Sequence, residues 1–220
     1  MYEFLRAIVG VLMRVFTRVH IQGQNHIPPS GSFLLVTNHL SRFDLPLIFI
    51  GVRCRMVVFI ARKYHEVWLL RVLVEAAGCI WVRQNEPDLG AVKQALAHLR
   101  GGGALGISPE GTRSQSTHAL IEARDGVSFL AARTGVPILP VAVWGTETIP
   151  QLLPRLRRAR VFLRIGKPFS LPVRPHARGE ELDRYTEDIM CSIAALLPHA
   201  YRGVYADHPR LADWEARLAA

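Results

Sequence analysis

The stretch "FLLVTNHLSRFDLPLIFI", residues 33–50, decides how the chain is read. Phe33–Thr37 is a short apolar run of the kind a buried strand requires. A polar turn follows, carrying Asn38 and His39. Asp44 then heads a second apolar run, Leu45–Gly51, with Pro46 suited to the first turn of a helix. Strand, loop and helix in succession form one unit of an α/β fold.

Outward from that unit the pattern repeats. Met56–Ile60, Cys79–Val82, Ala104–Ile107, Ile138–Val143 and Val161–Ile165 read as further buried strands. His65–Ala76, Asp88–Leu99, Arg124–Thr134 and Glu180–Leu197 read as helices. The expectation is a single α/β domain with a largely parallel sheet covered by helices. Its bounds are residues 21–200, behind an N-terminal amphipathic helix, 1–20, and ahead of a polar tail, 201–220. The glycines of "RGGGALG", Arg100–Gly106, precede a strand and open no helix, so they are not a phosphate-binding fingerprint.

A chain of 220 residues, half of them apolar, is long enough for one full core. Its net charge of +9 points to an anionic partner: nucleic acid, an acidic membrane surface or a phosphorylated small molecule. Cys54, Cys79 and Cys191 match neither a disulfide framework nor a zinc pattern, which favours a reducing compartment. No run of 18 uninterrupted apolar residues marks a spanning helix, and no small-residue cleavage site marks a signal peptide.

On a helical wheel the first segment divides. Glu3, Arg6, Gly10, Arg14, Thr17 and Arg18 share one side. Phe4, Leu5, Ile8, Val9, Leu12, Val15, Phe16 and Val19 fill an arc of roughly 200° at about 100° per residue. Such a helix either lies in a lipid interface or packs by its arc on the domain core. In the first case Phe4, Leu5, Arg6, Leu12, Arg14, Phe16 and Arg18 touch the membrane. Residues 151–178 add eight Lys or Arg and no acid, another surface suited to anionic lipid or to phosphate groups.

In open α/β sheets, sites collect at the carboxyl ends of the strands. Parallel neighbours would bring several polar ends to one rim: Asn38-His39, Arg83-Gln84, "SPEGTRS" (Ser108–Ser114) and Trp144-Gly145-Thr146. A histidine at such a position can act as a general base. Asp44 can hold its tautomer and steady the imidazolium, or can serve only as a helix cap. In "SPEGTRS", Gly111 admits close backbone approach, Arg113 can grip a phosphate, and Glu110 can orient a hydroxyl or pin the arginine. His39 and Asp44 lack a third ligand for a metal, and no G-x-S-x-G elbow supports a serine hydrolase. Charge alone suggests nucleic acid, and no stacking pattern of aromatics accompanies it.

Four stretches together resemble the motifs of the glycerophospholipid acyltransferases, the family of the 1-acylglycerol-3-phosphate acyltransferases. "NHLSRFD" is similar to their N-H-x-x-x-x-D, "GCIWVRQ" (Gly78–Gln84) to G-x-I-F-x-x-R, "SPEGTRS" to P-E-G-T-R, and "VPILPVAV" (Val136–Val143) to V-P-I-x-P-V. Two departures stand out: Gln84 occupies the usual arginine position with Arg83 one place earlier, and Ser108 replaces a bulky residue.

The resemblance implies transfer of a fatty acyl group from acyl-CoA or acyl carrier protein to the hydroxyl of a lysophospholipid, first of all 1-acylglycerol-3-phosphate to give phosphatidic acid, with no cofactor and no metal. It implies catalysis by His39 and Asp44. It also implies substrate binding by Glu110, Gly111, Thr112, Arg113, Arg83 and Lys63, at the cytoplasmic face of a membrane. Glycerol-3-phosphate or another lyso-lipid as acceptor, and a non-catalytic lipid-binding protein, are the alternatives.

Overall fold

The computed structural model describes residues 2–84, 86, 88–114 and 116–219. In chain order the elements are α1 (Tyr2–Phe16), β1 (Thr17–Gln22), β2 (Phe33–Thr37), α2 (Asp44–Gly51), β3 (Met56–Ala61), α3 (Trp68–Ala76), β4 (Ile80–Val82), α4 (Leu89–Arg100), β5 (Ala104–Ile107), α5 (Gly126–Thr134), β6 (Ile138–Trp144), α6 (Ile149–Leu152), β7 (Ala159–Ile165), α7 (Glu180–Ala194) and α8 (Leu211–Ala219). Seven strands form one sheet in the order β1-β7-β6-β2-β5-β3-β4. The five strands from β6 to β4 run parallel; β7 pairs antiparallel with β6, and β1 pairs parallel with β7. The carboxyl ends of β2 to β6 therefore share a rim with the starts of β1 and β7.

β2 sits in the middle, between β6 and β5, and all five of its residues are buried. Its alternation feeds two cores. Leu34 and Val36 pack with Leu99 of α4, Leu130 of α5, Ile189 of α7 and Trp214 of α8. Phe33 and Leu35 pack on the opposite side with Leu47 and Ile48 of α2 and Met13 of α1. The close fit on that second side has a visible cause at Gly51, where an added Cβ would lie 2.1 Å from a methyl of Leu163.

The first segment departs from the expected helix over residues 2–19. The helix ends at Phe16, and Thr17–Gln22 forms an edge strand. The reason is a change of period: Thr17, Val19 and Ile21 are β-branched and alternate with Arg18, His20 and Gln22. Arg158 closes the junction by donating to the carbonyls of Arg14 and Thr17. Arg18 thus belongs to a strand.

The orientation of α1 is equally informative. Gly10 and Met13 are buried against the domain, while Phe4, Leu5, Ile8, Val11, Leu12, Val15 and Phe16 are all exposed, Phe4 at 71%. The apolar arc faces away from the core. Arg6 folds onto Glu3, and its side chain keeps only 20% of its exposure. No helix among the described residues is long and apolar enough to cross a membrane.

At the other end, the stretch 201–220 is not a polar tail. Leu211 and Trp214 of α8 are buried, and Trp214 meets Phe169 edge-on at 4.5 Å. Arg202 pairs with Glu215, and Arg210 with Asp188 of α7.

Candidate active site

The site is assembled where β2 ends. Asn38 is buried, and its side-chain amide forms a two-way clasp with β6, donating to the Val143 carbonyl at 2.7 Å and accepting from the Val143 N–H at 2.8 Å. This fixes the peptide that presents His39. The third motif holds the same residue from the other side. Glu110 accepts the His39 N–H at 2.7 Å, and the Ser114 N–H donates to the His39 carbonyl at 3.0 Å.

The imidazole Nδ1 of His39 lies 2.8 Å from Oδ2 of Asp44. Asp44 is only 2% exposed, and it stands in the first turn of α2 behind Phe43, the cap residue. Its carboxylate reaches back into the loop instead of capping the helix. Oδ2 also accepts from the N–H groups of Leu40 and Ser41, at 2.7 and 2.8 Å. Oδ1 accepts from the hydroxyls of Ser41 and of buried Thr146. Toward an oxygen that already accepts two backbone N–H groups, the ring proton belongs on Nδ1, which leaves the lone pair on Nε2. Thr146 follows Gly145, whose φ of +84° and close approach to the Arg160 carbonyl, 2.2 Å from an added Cβ, admit no side chain.

Glu110 is 2% exposed and also accepts from the Ile121 N–H at 3.1 Å. Burial pushes its carboxyl up to about 7, against the lowering effect of the two N–H groups. Glu110 is thus a clamp between the His39 loop and the chain at Ile121. Each of its two oxygens accepts from a backbone N–H group. Arg113 donates to the Tyr64 hydroxyl at 3.2 Å. Lys63 stands over the Tyr64 ring at 5.3 Å, so Lys63, Tyr64 and Arg113 form one basic cluster at the ends of β3 and β5. Gly111 and Thr112 are exposed on the turn between them, with the Gly111 N–H already donated to Ser108.

The second motif behaves unlike its resemblance. Arg83 turns toward Glu86 and Asp88, both at 3.8 Å, and lines a cavity of about 290 Å³ with Arg62, Cys79 and Trp81. Gln84 reaches the other way, its amide 3.5 Å from the Gly111 carbonyl. The side chain that touches the third motif is therefore Gln84. Ser108 buries a hydroxyl with no hydrogen-bond partner. A second cavity, about 150 Å³, opens beside the His39 loop between Arg42, Phe43, Arg113, His118 and Glu147. Among the described residues, no group of three or more His, Cys, Asp and Glu side chains converges as metal ligands would.

Tyr64 escapes a reading by local pattern, and Ser114 ends a motif with no role assigned to it. Asn38 and Thr146 stand at strand ends that the sequence singles out, but the sequence does not show what they bind. Their partners stand 105 and 102 residues away.

A buried carboxylate orienting an imidazole at the carboxyl rim of a parallel sheet, with a guanidinium beside it, is the arrangement of an α/β group-transfer site. The Acyltransferase family model matches residues 18–144, more than half of the chain, and the chain belongs to that family. It is 26% identical over 150 residues to the 1-acyl-sn-glycerol-3-phosphate acyltransferase of Borreliella burgdorferi, covering 66% of this chain and 59% of that protein. To the 1-acyl-sn-glycerol-3-phosphate acyltransferase of Bacillus subtilis it is 22% identical, over 76% of this chain and 82% of that one. The crystal structure of the 1-acyl-sn-glycerophosphate (LPA) acyltransferase PlsC from Thermotoga maritima superposes with a TM-score of 0.68 at 26% identity, covering 86% of this chain and 76% of that one. The chain thus spans a little under two thirds of the Borreliella relative.

Proposed function

We propose that this protein transfers a fatty acyl group from a thioester, carried by CoA or acyl carrier protein, to the free hydroxyl of 1-acylglycerol-3-phosphate, giving phosphatidic acid. The observation that carries this reading is the 2.8 Å contact between Nδ1 of His39 and a fully engaged Asp44. Nε2 takes the hydroxyl proton as the oxygen attacks the thioester carbon. The tetrahedral intermediate collapses, the C–S bond breaks, and the imidazolium returns the proton to the leaving thiolate. General-base help of this kind contributes about 10²–10⁴-fold. Arg113, with Lys63 alongside, binds the acceptor phosphate.

Both substrates carry fatty chains, and the outward apolar arc of α1 supports work at a membrane surface. Leu153 and Leu156 are exposed among Arg155, Arg157 and Arg158, and Arg158 bonds to the end of α1, so this basic loop extends the same surface. An anionic, cytoplasm-facing bilayer is the partner proposed.

The test is incubation of purified protein and the His39→Ala variant with labelled acyl-CoA or acyl carrier protein and 1-acylglycerol-3-phosphate. Phosphatidic acid formed by the wild type and lost in the folded variant is expected; equal turnover by the variant would remove His39 as the base. Vesicle co-sedimentation, expected to need anionic lipid and to weaken with salt, tests the docking.

A further inference from the structure

The first turn of α3 is apolar and uncovered. Trp68 is 69% exposed, and Val67 just before it and Val72 one turn further on are exposed as well. Trp68 and Val72, four residues apart, share one side of the helix, while Val74 faces the domain and is buried. Arg62, Lys63 and Arg71 flank this turn. Glu75 lies farther along the helix, 3.9 Å from Arg71. The apolar face is thus confined to the start of α3, with cations around it.

The topology sets this patch in the same layer as α1. The steps from β2 to β3 and from β3 to β4 cross the sheet in one direction between parallel strands. Such crossovers are right-handed, which puts α2 and α3 on one face. α4 follows the return step from β4 to β5, and its Ala91, Ala95 and Leu99 lie in the opposite core. His65, just ahead of α3, agrees: its ring meets Trp81 edge-on at 5.1 Å, whereas Ile80 and Val82 pack toward α4. α1 rests on α2, so the three helices form one layer. α1 ends at the catalytic rim, where β1 begins, and α3 begins at that rim, just past the end of β3. Phe16 therefore stands to one side of the His39 loop and Trp68 to the other.

Resting on the docking reading above, we propose that the first turn of α3 is a second bilayer contact, with Trp68 seated among the lipid head groups. An indole suits that depth, with an apolar ring and one polar N–H, and guanidinium groups beside it meet phosphates. A second copy of the chain fits less well. At about 150–250 Å² for a large aromatic, the three side chains offer roughly 300 Å², against about 800 Å² per partner in a stable protein interface. A single helix contact leaves the domain free to roll about the axis of α1. Contact on both sides of the rim removes that freedom and turns the cleft at His39 toward the leaflet. Glu66 and Glu75 offset two of the three cations here, so burial and not net charge holds this contact. Its strength is therefore insensitive to salt, unlike that of the basic loop at Arg155–Arg158.

The test uses the full chain with vesicles of phosphatidylcholine and phosphatidylglycerol. The emission of Trp68 is taken as wild type minus Trp68→Phe, since Trp81, Trp144 and Trp214 also emit. On vesicles it should shift to the blue and be quenched by lipids brominated high in the acyl chain. Trp68→Ala should weaken partitioning by about 10-fold, by the same factor at low and at high salt. Trp68 emission that stays unchanged while the protein sediments with vesicles would overturn the second contact and leave docking by α1 intact. A blue shift that grows with protein concentration in the absence of lipid would assign the patch to a second copy and overturn it too. Failure to sediment with any vesicle would refute the docking reading itself, and this contact with it.

Discussion

The two halves of the rim are built differently. On the β2–β6 side, Asn38, Asp44, Glu110 and Thr146 are buried, and each spends its polar atoms on a named partner. On the β3–β4 side, Lys63 and Arg83 are exposed, and Arg113 donates to the Tyr64 hydroxyl. Fixed dipoles help most where charge develops during reaction, because no reorganisation is then required. A binding side gains from guanidinium groups that close on a phosphate after it arrives. The contrast separates the group that must be aimed beforehand from the groups that must adapt.

The largest test of that division is Asp44→Asn. It should lower kcat by about 10³–10⁴-fold, because a neutral amide no longer stabilises the imidazolium that forms; a stopped-flow or steady-state assay suffices. Arg113→Ala addresses the other side. It should raise KM for 1-acylglycerol-3-phosphate by about 10–100-fold with a smaller change in kcat, as loss of uniform binding does. A fall in kcat alone would place Arg113 on the rigid side instead.

Thr146→Val keeps the shape and deletes one donor to Asp44. We expect a loss of about 10-fold in kcat with KM nearly constant, and a stability cost of about 1–2 kcal/mol measured by denaturant unfolding.

A separate test concerns Glu110, whose folded pKa lies above the ordinary 4.5, at about 7. The folded state therefore binds a proton more readily than the unfolded chain between those values, and stability from this group declines as pH rises through that window. Near pH 7 the folded carboxyl is half ionised, and the penalty for burying its charge is complete only well above that pH. Glu110→Gln should flatten the difference in unfolding free energy between pH 5 and pH 8, and an unchanged slope would sever the link to this carboxyl.

The central strand and the loops of the rim were legible because their signals are local. Phe33–Thr37 declares burial on both faces, and His39, Asp44 and Glu110 stand in short motifs. What was not legible depends on distant chain. A helical wheel carried past Phe16 places Val19 on the apolar arc although the backbone there is a strand, because a single apolar position fits either period. The wheel also gave α1 an apolar arc without saying which way it points. That depended on Gly10 and Met13 fitting α2. The spacing of Leu211 and Trp214 was a helical signal hidden in a polar stretch. Arg83 turns away from the third motif because the acidic cap of α4, Asp88, holds its N–H and lies beside its guanidinium, a contact between loop and helix that the motif spacing does not show.

The reversal of β7 and β1 has one more result. Because β1 begins at the catalytic rim, the last turn of α1 ends there too. A protein resting on a bilayer by α1 would bring that rim within reach of the leaflet. An acceptor would then approach His39 by lateral diffusion, its acyl tail still solvated by neighbouring lipids while the head group alone changes surroundings. Encounter would become a two-dimensional search, governed by the density of acceptor within the leaflet and not by its concentration in water.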